Sequence, residues 1–509
     1  MSAFRAPPGT RDLLVPESTR LAGLVTDFAR TVQLAGYGLV LGPMLEDAAV
    51  FTSGVGEATD IVAKEMYELE DRGGRRLALR PEGTASIVRA FVQHRPPTPF
   101  KAWYVTPAFR YERPQAGRYR QHHQVGVEAL GTDDPDLDVE LVGLLMSYLE
   151  GTGLQSLELK VSSMGDETCR PGYVAALGAY LSTRENELCS EHQARWRLNP
   201  LRFLDCKKPE CVKVRAGAPR LSDALCGPCR AHLERVLEGL DSQKIPWRRD
   251  DALVRGLDYY TRTTFEVASL ALDAAQDALG GGGRYDRLAE RLGGPATPGI
   301  GFASGLERVL GALRAEGVPD PTRSPVEVFV VDVAGGASAR DLTAELRKEG
   351  IGAERSFDQR SMKAQLRQAD RSGARLALIV GQKELSAGEV GLKWLRDSGN
   401  DGDSSGGGGN GGDSSGGSGN GGDSSGGSIA RSPRPASTGA DAGDGIARAG
   451  GVCEPNAADG PNAADRPGAA DGLRATKEPG DAGGVAAFRG LPVRLGRDGI
   501  AARVKGLLG

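Results

Sequence analysis

The sequence predicts an α+β chain: a large unit with a largely antiparallel sheet flanked by helices, followed by a small α/β unit. Two observations carry this. Within residues 1–324, strand-like stretches (103–112, 121–130, 255–267) alternate with helical ones (18–34, 138–149), and two pairs of strands lie close enough to form hairpins. From Val326 the pattern changes to apolar runs alternating with amphipathic helices, the signature of buried parallel strands with crossovers.

Bulk properties narrow the function classes. A chain of 509 residues has room for two or three domains. The net charge of −4 gives no global attraction to nucleic acid, so any basic site must be local. No apolar run is long enough to span a bilayer, and "MSAFRAPPGTRDLLVPE" lacks the pattern of a secretory signal. Seven cysteines, four of them between 206 and 229, do not make a disulfide framework; a reducing cytoplasm fits better.

The first unit is anchored by "FRYERPQAGRYRQHHQVGVE", 109–128. Side chains two apart in a strand share a face. Arg110 and Glu112 would therefore share one, and His122, Gln124, Gly126 and Glu128 another, while Val125 and Val127 point away. If the strands pair, one wet face presents a guanidinium, an amide and two carboxylates, with a glycine leaving room between them. "RPQAGRYR" is the long basic loop between the strands. A solvated surface hairpin explains this stretch alone equally well. Three other segments weigh against it. "LALRPEGTASIVRAF" puts Glu82 and Thr84 on a turn at a helix start. "VRGLDYYTRTTFEV" carries Arg255, Tyr259 and Tyr260 into a strand. "GGGGRYDRL" and "PGIGFASGLERVL" give glycine-rich backbone and then Arg308 inside an apolar helix, where an arginine needs a partner. Residues 164–248 read as a helical, cysteine-bearing insertion between two strand groups of one sheet.

In the second unit "VEVFVVDV" and "LALIVG" are buried strands, and "ASARDLTAELRKEG" a helix ending at a C-cap glycine. In the helix "SMKAQLRQADRSG", Met362, Leu366 and Ala369 can face the sheet, while Lys363, Arg367 and Arg371 share the other face. Residues 397–487, with "GGDSSGGSGNGGDSSGGS", should be a disordered extended coil. The final "GLPVRLGRDGIAARVKGLLG" recovers a strand and a helix, making 325–396 and 488–509 one small domain with the coil inserted in it.

These segments resemble histidyl-tRNA synthetase, a class II aminoacyl-tRNA synthetase. "FRYERPQAGRYRQHHQ" is similar to its motif 2 and "GFASGLERVL" to its motif 3. "RPEGTA", "LVRGLDYYTRT" and "GGGGRYD" resemble its histidine-specific segments, and "PPGTRDLLVPE" the N-terminal one. The resemblance implies a homodimer whose substrates are ATP with Mg2+, histidine and tRNA(His), joined through a histidyl-adenylate in protein biosynthesis. It implies an anticodon-binding role for the small α/β domain. It places Arg110 and Arg255 on the α-phosphate and Arg308 at the far end of the triphosphate, where positioned guanidinium charge dominates catalysis. Glu112 and His122 would meet the adenine. Glu82, Thr84 and Gln124 would surround the ammonium of histidine, and Glu128 with the tyrosine pair Tyr259 and Tyr260 would hold its imidazole. Gln115 and Arg120 in the loop would reach the tRNA acceptor end. His122 departs from the family, which usually has phenylalanine there; a smaller ring that can titrate implies modestly weaker ATP binding.

No residue is assigned as a metal ligand. The spacings Cys206-x4-Cys211 and Cys226-x2-Cys229, with His192 and His232 nearby, are compatible with a structural zinc site, but the family does not require metal here and reduced cysteines in a helical insertion are the favoured reading. Two rival functions remain. One is the non-synthetase paralogue that regulates ATP phosphoribosyltransferase in histidine biosynthesis; it generally lacks the C-terminal domain and the segment around Arg255. The other is a non-catalytic RNA-binding protein, which has no need of Arg110, Arg255 and Arg308 together.

Overall fold

The computed structural model describes residues 4–56, 59–113, 117–254, 257–272, 277–319, 326–396, 493–496 and 499–508. Gln115, Arg255 and the segment 397–487 lie outside the described residues. The chain divides into two compact units, Met1–Thr322 and Arg323–Gly509.

In chain order the strands of the first unit are β1 (Gly38–Leu39), β2 (Leu45–Asp47), β3 (Tyr67–Glu70), β4 (Arg76–Leu79), β5 (Phe100–Phe109), β6 (Gln121–Leu130), β7 (Leu157–Ser163), β8 (Arg248–Arg249), β9 (Thr261–Ser269), β10 (Ala278–Arg284) and β11 (Gly299–Gly305). Eight of them form one sheet in the order β1-β5-β6-β11-β10-β9-β7-β8, while β2, β4 and β3 form a small separate one. The six inner strands of the large sheet pair antiparallel, and the two short edge strands pair parallel with their neighbours. The fold is thus the largely antiparallel sheet flanked by helices that the patterning predicts. The helices Glu17–Gln33, Pro135–Gly151 and Leu306–Ala315 supply Phe28, Tyr148 and Leu310 to one continuous apolar core with Val127, Phe265 and Phe302 from the strands.

The hairpin of β5 and β6 is in register from Phe100 opposite Leu130 to Phe109 opposite Gln121. The first strand ends one residue before Arg110, so strand alternation does not place Arg110 and Glu112, contrary to the sequence reading. Arg110 N–H still donates to Arg120 O at 2.9 Å, and then Glu112 N–H turns back to Arg110 O at 2.8 Å. β10 runs Gly280 to Gly283 through the middle of the sheet. A Cβ at Gly282 would lie 1.9 Å from Gly301 O, so only glycine lets β10 and β11 approach this closely. Between β7 and β8 the chain is helical (Arg170–Thr183, Ser190–Arg195, Pro209–Arg215, Gly227–Ser242).

The second unit has a five-stranded sheet of β12 (Val328–Asp332), β13 (Ala353–Arg355), β14 (Leu376–Val380), β15 (Glu389–Trp394) and β16 (Val493–Gly496), in the order β13-β12-β14-β15-β16. Three strands are parallel, but β15 and β16 run antiparallel, so the sheet is mixed rather than simply parallel. Helices Ala337–Lys348 and Ile500–Leu508 cover one face through Leu342, Leu346, Ile500 and Val504. Helix Met362–Arg371 covers the other, with Leu366 and Ala369. Met362 is exposed, against expectation, and Gln365 takes an inner place: its amide donates to Asp332 O at 2.5 Å and accepts from Asp332 N–H at 2.8 Å. A short polar bridge thus ties this helix to the end of β12. Lys363, Arg367 and Arg371 are all exposed.

Candidate active site

The turn after β4 and the helix Thr84–His94 that follows it build one wall of the site. Glu82 accepts hydrogen bonds from the N–H groups of Thr84 (2.7 Å) and Ala85 (2.8 Å), satisfying two of the helix's otherwise unpaired donors. Burial raises the Glu82 pKa against those bonds. Arg110 Nε donates to Pro81 O at 2.9 Å, which fixes its guanidinium beside the same turn.

The strands β6, β10 and β11, with β7 and β9 beside them, form the floor. A cavity of about 740 Å³ opens on it and gathers Glu82, Thr84, Arg110, Glu112, His122, Gln124, Tyr259, Tyr260 and Arg308 from five separate stretches of sequence. Arg308 donates from Nη1 to Ala278 O at 2.9 Å, so the motif after β11 is tied to the start of β10. Gln124 Oε1 is buried and has no hydrogen-bond partner among the described residues, which suits an acceptor kept for a ligand's N–H. The rings of Tyr259 and Tyr260 lie 4.7 Å apart, and Tyr259 meets Tyr285 edge-on at 5.7 Å.

Glu128 is the main departure from the sequence reading. It is not on a wet face: it is fully buried, four residues further along β6 than Gln124, the last residue of that strand to line the cavity. Its carboxylate accepts from Thr84 Oγ1 at 2.7 Å, Tyr285 OH at 2.5 Å and Tyr104 OH at 3.4 Å. Burial outweighs these bonds and pushes its pKa up to about 8. The strand is flanked on both sides and overlain by the helix starting at Thr84, so its alternate residues meet protein rather than water. Two glycines make the arrangement fit. Gly126 pairs with Tyr104, whose ring would lie 2.5 Å from a Cβ there; the room it leaves is filled by that ring. Gly301 pairs with Glu128, and a Cβ there would be 1.8 Å from Glu128 Oε2.

The two histidines divide. Burial and the neighbouring Arg110 and Arg308 hold His122 down to about 3, so its ring is neutral and does not titrate in the working range. His123 turns the other way: its N–H and Nδ1 meet the Glu307 carboxylate at 2.9 and 2.7 Å, fastening β6 to the helix Leu306–Ala315. Arg120 is not among the cavity residues. Its guanidinium stacks on Tyr111 at 3.8 Å and donates to Glu112 O at 3.3 Å.

Sequence reasoning missed Tyr104, Tyr285, Lys160, Glu266 and Asp277. Tyr285 stands in "GGGGRYD", two residues after the glycine run. Tyr104 could be found only from the register that puts it opposite Gly126. Lys160 links Glu266 and Asp277, with Nζ 3.9 and 3.7 Å from their carboxylates, and all three line the cavity. Arg284 in the same glycine-rich segment is structural: fully buried, it pairs with Asp138 at 2.6 Å and donates to the carbonyls of Thr132 and Asp134. His232 approaches the same Asp138 at 3.1 Å.

A family model described as Histidyl-tRNA synthetase matches residues 9–165 and 201–309, and one described as Anticodon binding domain matches 327–403. The histidine--tRNA ligase of Dehalococcoides mccartyi is 45% identical over 401 residues, which cover 78% of this chain and 96% of that one. The histidine--tRNA ligase of Anaeromyxobacter dehalogenans is 48% identical over 391 residues, covering 76% and 94%. Among solved structures, apo histidyl-tRNA synthetase of S. aureus superposes with a TM-score of 0.65 at 34% identity, over 77% of this chain and 95% of that one. Motifs, sheet topology and relatives of nearly full length agree, and the chain belongs to the histidyl-tRNA synthetase family.

Proposed function

We propose that the protein ligates histidine to tRNA(His) in two steps at the cavity described above. In the first, a carboxylate oxygen of histidine attacks the α-phosphorus of ATP and pyrophosphate leaves. In the second, a 3′-terminal tRNA hydroxyl attacks the carbonyl carbon of the adenylate and AMP leaves. The observation that carries this is the convergence in one cavity of two arginines, Arg110 and Arg308, with Glu82, Gln124 and the tyrosine pair. Negative charge shifts within the triphosphate during the first step, and fixed guanidinium groups stabilise it without reorganising. Arg110 serves the α-phosphate, joined by Arg255, and Arg308 the distal phosphates. Glu112 and the neutral ring of His122 take the adenine. Glu82, Thr84 and Gln124 Oε1 receive the ammonium of histidine.

Glu128, from beneath, sets the identity of the side chain together with Tyr259 and Tyr260. A site built to hydrogen-bond both imidazole nitrogens leaves buried groups unpaired when another amino acid enters, which rejects it by about 10⁴-fold or more. Mg2+ accompanies ATP. Glu266 and Asp277 fit it as hard oxygen donors on the cavity wall, where it would neutralise phosphate charge. Gln115 and Arg120 meet the tRNA acceptor end, and the exposed Lys363, Arg367 and Arg371 suit an anticodon contact. The working assembly is a homodimer in the cytoplasm. Among the described residues no helix is long and apolar enough to cross a membrane.

The regulatory-paralogue reading is disfavoured, because the ligase relatives match nearly end to end and the anticodon-binding match is present. Histidine-dependent exchange of labelled pyrophosphate into ATP tests the proposal. Exchange with histidine and not with other amino acids is expected; no exchange overturns it.

A further inference from the structure

The insertion brings its chalcogen and imidazole ligands together in two separate tetrads rather than one. Sγ of Cys189, Cys206 and Cys211 and a ring nitrogen of His192 all lie within 4.8 Å of one another. A second set joins Asp166, Cys169, Cys226 and Cys229 within the same limit. His232, bonded to Asp138, belongs to neither.

The spacing in each tetrad is that of a tetrahedron's edges. With Zn–S bonds of about 2.3 Å and Zn–N or Zn–O bonds of about 2.0 Å, tetrahedral S···S and S···N/O edges are about 3.8 and 3.5 Å. In the first tetrad Cys189 Sγ lies 4.0 Å from Cys206 Sγ and 3.2 Å from His192 Nδ1, which is 3.9 Å from Cys211 Sγ. In the second, Asp166 Oδ1 lies 3.5 Å from Cys169 Sγ and 3.8 Å from Cys226 Sγ. A sulfur pair 4.0 Å apart is not a disulfide, which needs about 2.05 Å.

Each tetrad joins two short-range pairs: Cys189-x2-His192 with Cys206-x4-Cys211, and Asp166-x2-Cys169 with Cys226-x2-Cys229. Cys189 and Cys226 stand at the N-caps of helices, where the first turn brings the second pair member round. The helices Ser190–Arg195 and Pro209–Arg215 are too short to persist alone. Four of the eight ligands, Asp166, Cys169, Cys189 and His192, fall in the stretch between the two blocks that the family model matches, and the other four lie within its second block.

We propose that the insertion binds two structural zinc ions, one in a Cys3His site and one in a Cys3Asp site. Both centres support the cavity wall. Leu204, Asp205 and Lys207, around Cys206, line the cavity. Arg170, directly after Cys169, donates from Nε to Met164 O at 2.9 Å and from Nη2 to the carbonyl of Tyr260. With all four positions filled by protein, the ions have no open coordination site and act by closing the fold.

The test is the zinc content of the full-length protein, purified without a metal-binding tag and freed of loosely bound metal on a chelating resin. Two zinc ions per chain are expected. Cys206→Ser and Cys229→Ser should each remove one, and the double variant both. A content of one overturns the two-site assignment, and a zinc-free protein with titratable thiols overturns both. If a variant fails to fold, cobalt(II) in the wild-type chain decides: intense ligand-field and thiolate charge-transfer bands from two equivalents are expected, and weak octahedral absorption overturns the proposal. None of these readouts depends on aminoacylation.

Discussion

Glu128 has no exposed surface, and burial holds its carboxyl near 8 in spite of three hydroxyl donors. The folded chain therefore binds this proton more tightly than the unfolded chain, whose glutamate titrates near 4.5. The stability it contributes is fully present below about pH 4.5 and is lost as pH rises through about 8. Urea unfolding from pH 5 to 9 should show wild type losing stability relative to Glu128→Gln over that window; parallel curves would refute it. In catalysis the same substitution turns one of the two carboxyl oxygens into an NH2 group, which cannot accept from an imidazole N–H. It should raise the histidine KM on the order of 10²-fold with little change in the ATP KM. His122 is the second residue whose environment decides its chemistry. Sequence alone suggests a ring that titrates, but flanked by Arg110 and Arg308 it stays neutral. What remains of its difference from phenylalanine is apolar area. His122→Phe should lower the ATP KM about threefold, a gain of the size aromatic contacts contribute; a rise in steady-state KM would refute this.

At the scale of elements, the close approach of β6 and β11 at Gly301 is what lets one carboxylate sit inside a sheet. Gly301→Ala would place a Cβ 1.8 Å from Glu128 Oε2 and 2.6 Å from Val127 O. The carboxylate can swing away, but the backbone oxygen cannot. We expect a loss of roughly 1–3 kcal/mol in thermal or urea unfolding, together with a larger rise in the histidine KM than in the ATP KM. An unchanged histidine KM would show that Glu128 does not reach the substrate from its seat. The element pattern itself was legible. The period-two stretch 121–130 is β6, and the turn-helix at Glu82 and Thr84 is where its capping chemistry puts it. The end of β5 was not legible, because Arg110 and Glu112 continue an extended-looking text after the ladder has stopped.

For the whole molecule, the long low-complexity stretch interrupts the second unit between adjacent strands. β15 and β16 are antiparallel neighbours, with Leu392 opposite Val493, so the strands on either side of that stretch are already side by side in the sheet. Loop-closure cost grows only slowly with length, about 0.6 kcal/mol per doubling, and a shorter connection loses nothing the sheet needs. Deletion of 400–485 should leave aminoacylation within about tenfold of wild type, measured by charging of tRNA(His) at saturating ATP and histidine. A larger loss would give the segment a function beyond connection.

The sequence by itself determined the class of fold, the order of its motifs and the residues Glu82, Thr84, Arg110, Glu112, His122, Gln124, Tyr259, Tyr260 and Arg308 that one cavity gathers. Those signals are local: strand period, turn chemistry, charge held in apolar text and motif resemblance. Only the tertiary structure decided what depends on register across strands and on contacts between distant segments. It sank Glu128 beneath the cavity against Tyr104 and Tyr285, gave the space at Gly126 to a tyrosine ring, and turned His123 to Glu307. It also sorted the cysteines into two tetrads that take Asp166, Cys169, Cys189 and His192 as partners. No spacing rule reaches across such separations, because burial and pairing are set by what packs opposite rather than by what lies next in the chain.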